Sequence, residues 1–245
     1  MGSLVLDENE QRQYDEYRRK LNLQAAAGEV LKIEYDMVKP VVEKAALRAA
    51  CLEANSLKLG AICVLPCHVH MCVNFLGADP QTSLIACISY PHGGDTTKTK
   101  IAAVKDAVKW GVDEVEVTAP MSQVKDGNWG YVKKEFKKLK KAAKMRNVRI
   151  NIEYELLEPN EVSKLCTIAA DCGITSIKTS SGMYGVGTGT EVIARMKAAV
   201  KDKCTIKAEG VTSVAEFETA VSMGAGIIGS KVAPDLARMI LKVAE

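Results

Sequence analysis

The sequence lacks a strong charge of one sign, a long apolar run and any closely paired cysteines, and each absence removes a class of function. Basic residues exceed acidic ones only slightly, 33 against 30. The lysines are spread along the chain, so neither a nucleic-acid platform nor a membrane patch is expected. No apolar stretch approaches the length of a bilayer span, and no signal-peptide pattern stands at the start. The 8 cysteines include no Cys-x-x-Cys pair. They sit in apolar surroundings and read as free thiols of a reducing compartment, which implies a cytoplasmic protein. Cys67-His68-Val69-His70-Met71-Cys72 tempts a metal reading, but no zinc-site spacing matches and no metal is expected. No Gly-x-Gly-x-x-Gly follows the first strand, which disfavours a dinucleotide-binding open sheet.

What is present is a rhythm. Residues 1–30 read as a polar N-terminal extension, with a leading helix over 5–30. From 31 to 245 short apolar segments alternate with helical patterns of period near 3.6. The strand candidates lie near 32–35, 59–65, 84–88, 112–117, 149–154, 175–178, 205–208 and 226–228. The helices lie near 41–54, 97–110, 131–144, 159–171, 190–200, 213–223 and 234–244, and a helix between the second and third strands is the faintest. Gly111, Gly173 and Gly224 stand where helices should end. The pattern predicts one α/β domain over 31–245, a (β/α)8 TIM barrel with an extra N-terminal helix.

A barrel gathers chemistry at the C-terminal ends of its strands. Ser176-Ile177-Lys178-Thr179-Ser180-Ser181-Gly182 delivers Lys178 at such an end, where burial disfavours an unpaired ammonium. The lysine is therefore either salt-bridged or used as an amine that attacks a carbonyl. Cys204-Thr205-Ile206-Lys207-Ala208-Glu209-Gly210 repeats the pattern with Lys207. Two ammonium groups facing one pocket would depress each other's pKa and leave a neutral nucleophile. Other strand ends offer Glu34 and Asp36, Cys63, the segment Ser89-Tyr90-Pro91-His92-Gly93, Glu114 with Glu116, and Glu153 with Glu155. Residues two apart on a strand share a face, so Glu114 and Glu116 point the same way. Amine, second ammonium and carboxylate suit carbinolamine chemistry and carbon–carbon cleavage. The bland alternative is a buried ion-pair lattice without chemistry.

These segments resemble one family over about residues 33–232, the deoxyribose-phosphate aldolases. Ile177-Lys178-Thr179-Ser180-Ser181-Gly182 is similar to the family's Schiff-base segment, and Ile206-Lys207-Ala208-Glu209-Gly210 to the segment of its second lysine. Asp113-Glu114-Val115-Glu116 is similar to the proton-relay strand. The stretches 33–40, 61–66 and 151–157 resemble strands one, two and five. The resemblance implies a class I aldolase on a TIM barrel, cleaving 2-deoxyribose 5-phosphate to acetaldehyde and glyceraldehyde 3-phosphate. It implies an imine on Lys178, a pKa-lowering Lys207, a relay on Glu116, and no cofactor beyond the lysine Schiff base. It implies substrate binding by Cys63, Ser181, Gly182, Gly210, Gly229, Ser230 and Lys231. The expected partner is a small aldehyde or sugar phosphate, with a homodimer as the expected assembly.

The departures are as specific. Glu116 replaces the relay aspartate. The first strand carries Glu34-Tyr35-Asp36 in place of Asp-His-Thr. Met183 and a glycine-rich run to Gly189 follow the Schiff-base segment. Glu209 and Thr212 replace a glycine and an arginine, and Lys231 and Val232 replace serines. A phosphate wants small residues, N–H groups and cations, so Glu209 should repel it while Lys231 compensates. The expectation is weakened or altered aldolase activity; the alternative is a catalytically degenerate aldolase-fold protein that binds a protein partner.

Overall fold

Parallel strands close on themselves in chain order. The computed structural model of the protein describes residues 8–185 and 189–243. Its strands are β1 (Ile33–Met37), β2 (Ala61–Val64), β3 (Ser83–Ile88), β4 (Glu114–Thr118), β5 (Asn147–Asn151), β6 (Ser176–Lys178), β7 (Thr205–Glu209) and β8 (Ile227–Ser230). Each pairs with the next, and β8 returns to β1, giving a closed barrel of eight strands. The helices are α1 (Glu8–Val30), α2 (Lys44–Leu57), α3 (Val69–Leu76), α4 (Thr97–Trp110), α5 (Met121–Lys125), α6 (Trp129–Ala143), α7 (Pro159–Asp171), α8 (Thr190–Val200), α9 (Val214–Ser222) and α10 (Ala233–Val243). The (β/α)8 architecture read from the sequence is the one the chain adopts. α1 precedes the barrel and lies against α10.

The period of two along each strand sorts side chains between two environments. Ile33, Ile62, Val64, Leu84, Ala86, Val115, Val117, Val148, Ile150, Ile177, Ile206 and Ile228 face outward into the main apolar core beneath the helices. The inward set is mostly polar or charged, and among the described residues the apolar cluster inside is small: Val38, Ala61, Cys63, Ile85 and Cys87. Gly111, Gly173 and Gly224 follow their helices at φ of 97°, 74° and 104°, the left-handed conformation expected after a helix end. Ser213 opens α9 with a capping box to Glu216.

The boundaries differ where a side chain does something local. β5 starts at Asn147 and ends at Asn151, short of the expected 154. Glu153 ends it by turning to φ 45°, ψ 59° and opening a 3-10 turn over Tyr154–Leu156. The faint helix after β2 is α3, and α5 is a further short helix that no periodicity announced. The expected start at residue 5, the segment 186–188 of the glycine-rich run and Ala244 lie outside the described residues.

Candidate active site

Arg149 occupies the middle of the barrel. Its Nη1 donates to Glu34 Oε2 at 2.6 Å and its Nη2 to Glu34 Oε1 at 2.8 Å. Nη2 also lies 2.8 Å from Glu114 Oε1, Nη1 lies 3.3 Å from Glu116 Oε2, and Nε donates to Ser176 Oγ at 2.9 Å. The guanidinium is 1% exposed. A fork of five donors suits this many oxygens, and a lysine could not serve them.

The two lysines share a layer above it, because Lys178 on β6 pairs in register with Lys207 on β7. Lys178 Nζ lies 3.0 Å from Glu116 Oε1, 3.2 Å from Glu209 Oε2 and 3.5 Å from Asp36 Oδ2. Lys207 Nζ lies 2.8 Å from Glu34 Oε2, 2.9 Å from Asp36 Oδ1 and 3.5 Å from Cys63 Sγ. Both lysines are fully buried. Glu116 thus touches Arg149 with one oxygen and Lys178 with the other. Its extra methylene is what lets it span the two.

The electrostatics reverse one expectation. Burial alone disfavours the Lys178 ammonium, but Asp36, Glu116 and Glu209 outweigh it and hold the group well above its ordinary pKa. Lys207 is likewise raised well above, because Asp36, Cys63 and Glu34 outweigh burial. The mutual repulsion of two cations does not leave a neutral amine here, since carboxylates outnumber the amines around them. At Glu34, burial is opposed by Arg149 and Lys207, which bring the carboxyl down to about 2. At Asp36, burial is outweighed by Lys178 and Lys207, and the carboxyl falls well below the usual range. Glu116 is lowered against burial by Lys178, Lys207 and Arg149. Glu209 goes the other way: burial and the Asp36 charge push it well above the usual carboxyl value.

The residues expected to bind substrate fall into two groups. Cys63 belongs to the interior, beside Lys207 and 3.5 Å from Glu34 Oε2. So does Gly229, because a Cβ there would stand 2.2 Å from Glu209 Oε2, 2.6 Å from Lys207 Cε and 2.9 Å from Asp36 Oδ2. The others gather at the mouth. A Cβ on Gly182 would lie 3.4 Å from Lys231 Nζ and 3.9 Å from Glu209 Cγ. The Gly210 N–H donates to Gly229 O at 3.1 Å, and Ser230 Oγ accepts the Val232 N–H at 3.1 Å. Ser181 donates both its N–H and Oγ to Glu153 Oε2 at 3.0 Å, while its carbonyl accepts Tyr90 OH at 3.1 Å.

Two assignments change. Glu209 was expected to repel a phosphate at the mouth, but its carboxyl is 2% exposed and turns inward to Lys178. Glu153 was expected as an inward acid of strand five, but it anchors the loop after β6 through Ser181. Arg149, Asn151 and Cys87 were not singled out, and Tyr90 was offered only as part of the segment 89–93. A lone arginine inside an apolar strand segment was the available signal for the first of them.

Among the described residues, Cys63 with Cys87 and Glu116, and Glu34 with Asp36 and Cys63, bring possible metal-ligand atoms together. The Lys207 ammonium stands within 3.7 Å of an oxygen in each group and takes the place a cation would fill. Cys67 and Cys72 lie around the start of α3, one exposed and one buried.

Residues 22–232 match the profile described as the DeoC/LacD family aldolase. A deoxyribose-phosphate aldolase of Thermoanaerobacter sp. (strain X514) is 31% identical over 202 residues, covering 81% of this chain and 90% of that protein. Among solved structures, an aldolase designated QR15 superposes with a TM-score of 0.83 at 24% identity, over 87% of this chain and 96% of its own. The tetrameric deoxyribose phosphate aldolase from Aeropyrum pernix gives 0.78 at 19% identity, over 93% and 97%.

Proposed function

The chain belongs to the DeoC/LacD family of aldolases, and from that premise we propose that it is a class I aldolase acting on a 2-deoxyribose 5-phosphate-type substrate through an imine on Lys178. The observation that carries this reading is the setting of Lys178 Nζ, within 3.0 to 3.5 Å of Glu116, Glu209 and Asp36. A buried ammonium with a carboxylate at 3.0 Å can pass its proton directly and become a nucleophile when a carbonyl arrives. Glu116 is the nearest acceptor. The freed amine adds to C1 of the substrate, Glu116 returns the proton to the oxygen, which leaves as water, and the imine forms with Glu116 again a carboxylate. Glu116 then takes the C3 hydroxyl proton as the C2–C3 bond breaks. The bonding electrons pass into the imine, and C3 leaves as the aldehyde of the three-carbon phosphate. The enamine left on Lys178 is protonated at C2 and hydrolysed to acetaldehyde and free lysine. The protein's own amine is the electron sink, so the reaction calls for no cofactor.

Lys207 keeps Asp36 and Glu34 anionic beside the reacting nitrogen. Lys231, with the turns at Gly182 and Gly210, supplies a cation and backbone at the mouth, where barrels commonly hold phosphate. Eight free cysteines suit a cytoplasmic setting. Among the described residues no helix is long and apolar enough to cross a membrane.

The full burial of Lys178 favours a second reading, a closed and catalytically degenerate barrel that serves a protein partner. Borohydride reduction in the presence of acetaldehyde, and separately of 2-deoxyribose 5-phosphate, separates the two. The aldolase gives an adduct at Lys178 by mass spectrometry and loses it in Lys178→Met. No adduct at Lys178 with either compound rejects the aldolase reading.

A further inference from the structure

Lys178, Lys207, Asp36 and Cys63 have no exposed surface, so no carbonyl compound touches them until something above them moves. The cover is built from two loops. Tyr90 follows β3 and packs against the inside cluster that holds Cys63 and Cys87, the two thiols beside Lys207 and Glu116. Its hydroxyl crosses to the loop after β6 and donates to Ser181 O at 3.1 Å. Two residues on, His92 Nδ1 meets the Tyr184 hydroxyl, and the two rings lie 6.1 Å apart. β3 and β6 are not neighbours: β4 and β5 stand between them on one side, and β7, β8, β1 and β2 on the other. A contact from one loop to the other therefore spans the mouth as a chord.

Both loops are tied at their bases. The Gly93 N–H donates to Ser89 O at 2.8 Å, and a side chain at Gly93 would strike Ala119 O, so the turn after β3 is seated against the end of β4. On the far side Glu153 holds Ser181 through both its N–H and its Oγ. What is left to move is the phenol itself, half-buried and held at its tip by one neutral hydrogen bond. Exchanging that carbonyl for water costs little, whereas moving either loop breaks several contacts. We propose that Tyr90 is the gate of the barrel: its ring roofs the layer of Lys178 and Lys207, the hydrogen bond to Ser181 O latches it, and its outward swing admits carbonyl compounds to Lys178. His92 and Tyr184 form a second latch on the same chord. The reactivity of any group inside is then its intrinsic reactivity multiplied by the open fraction. The gate governs entry to the interior and not the chemistry of Lys178, so it stands or falls apart from the imine.

The cysteines supply the test. Cys63 and Cys87 are buried inside the barrel, while Cys51 and Cys166 are equally buried in the outer core. Alkylation by iodoacetamide, followed by peptide mass spectrometry, reads entry to both compartments in one sample. Wild type, Tyr90→Phe, Tyr184→Phe and Tyr90→Ala are compared. Tyr90→Phe keeps the ring and removes the latch, and its Cys63 rate is expected to rise about fivefold, the worth of one net hydrogen bond. Tyr184→Phe should act in the same direction, and Tyr90→Ala, which removes the roof, should exceed both. Cys51 and Cys166 should keep their wild-type rates. Adduct formation on Lys178 at low acetaldehyde, trapped with borohydride, should rise with Cys63. A Cys63 rate in Tyr90→Phe equal to wild type overturns the proposal. So does a parallel rise at Cys51 and Cys166, which marks a general loosening of the fold. If Tyr90→Ala does not fold, Tyr90→Phe and Tyr184→Phe decide. No adduct in any variant, with the Cys63 order intact, rejects the imine and supports the gate; an adduct in every variant at one rate, with Cys63 unchanged, rejects the gate and keeps the imine.

Discussion

Glu116 joins Lys178 to Arg149, with Oε1 at 3.0 Å from the lysine Nζ and Oε2 at 3.3 Å from the arginine Nη1. One carboxylate is therefore a structural link between the two cations as well as the acceptor in the proposed reaction, and its length fits the span. Glu116→Asp draws the carboxylate back by about 1 Å, a misplacement that costs on the order of 100-fold in rate. The expected outcome is slower adduct formation on Lys178 at all acetaldehyde concentrations, with the unfolding midpoint little changed. Adduct formation at the wild-type rate would show that the link to Arg149 does not set the position.

Arg149 is the main counter-charge of the lower barrel. Arg149→Met leaves Glu34, Glu114 and Glu116 facing one another in a closed space. Removing one partner of such a buried network typically costs about 3–5 kcal/mol, measurable by urea unfolding. The acid limb should move as well. Burial opposes ionisation of Glu34, while Arg149 and Lys207 lower its carboxyl from 4.5 to about 2. A lowered acid stabilises the fold above its unfolded pKa, and that contribution is lost as pH falls toward 2. Its size is on the order of 3 kcal/mol. Without Arg149 the loss should begin at higher pH. An unshifted acid transition would contradict this pairing.

Glu209 carries the opposite sign. Burial and Asp36 raise its pKa well above the ordinary 4.5. Above that ordinary value the unfolded chain releases the proton while the folded chain keeps it, so folding loses free energy as pH rises toward the folded pKa. Glu209→Gln removes the titration. Its stability relative to wild type should be smallest near pH 4 and grow by up to about 1.4 kcal/mol per pH unit above it. Urea unfolding at pH 4 and pH 8 reads this directly. A constant difference would mean that Glu209 is ionised in the fold.

Two glycines make a contrasting pair. Gly229→Ala puts a methyl 2.2 Å from Glu209 Oε2 and 2.6 Å from Lys207 Cε, and overpacking of this kind costs about 1–3 kcal/mol. It should also slow adduct formation, because Lys207 and Glu209 must shift. Gly28 lies within α1 with nothing within 4 Å of an added Cβ. Gly28→Ala should therefore raise stability by about 0.5–1 kcal/mol. Thermal unfolding of both variants compares them.

The barrel was legible because its strands carry outward apolar residues such as Ile62, Val64, Val115 and Val117 at a period of two. Lys178 and Lys207 were legible because buried strand ends seldom hold lysines. The direction of their pKa shifts was not. It depends on how many carboxylates converge from other strands, and Asp36 is 142 residues from Lys178 in sequence. The inward turn of Glu209 depends on the missing side chain of Gly229, a neighbour only after β7 and β8 pair. Glu153 read as an inward strand acid because nothing local announces its left-handed turn.

The layer inside the strands is built from ions and the layer outside from hydrocarbon, and the two respond differently to heat. Ionic hydration becomes less favourable as temperature rises, so the cost of keeping Arg149, Lys178, Lys207 and their carboxylates dry shrinks on warming. Apolar burial gains little over the same range. On heating, the outer seam between strands and helices is thus the part that yields, while the charged centre binds itself more tightly. Loss of order at the helical rim should precede exposure of Lys178, so thermal inactivation and helix melting need not coincide.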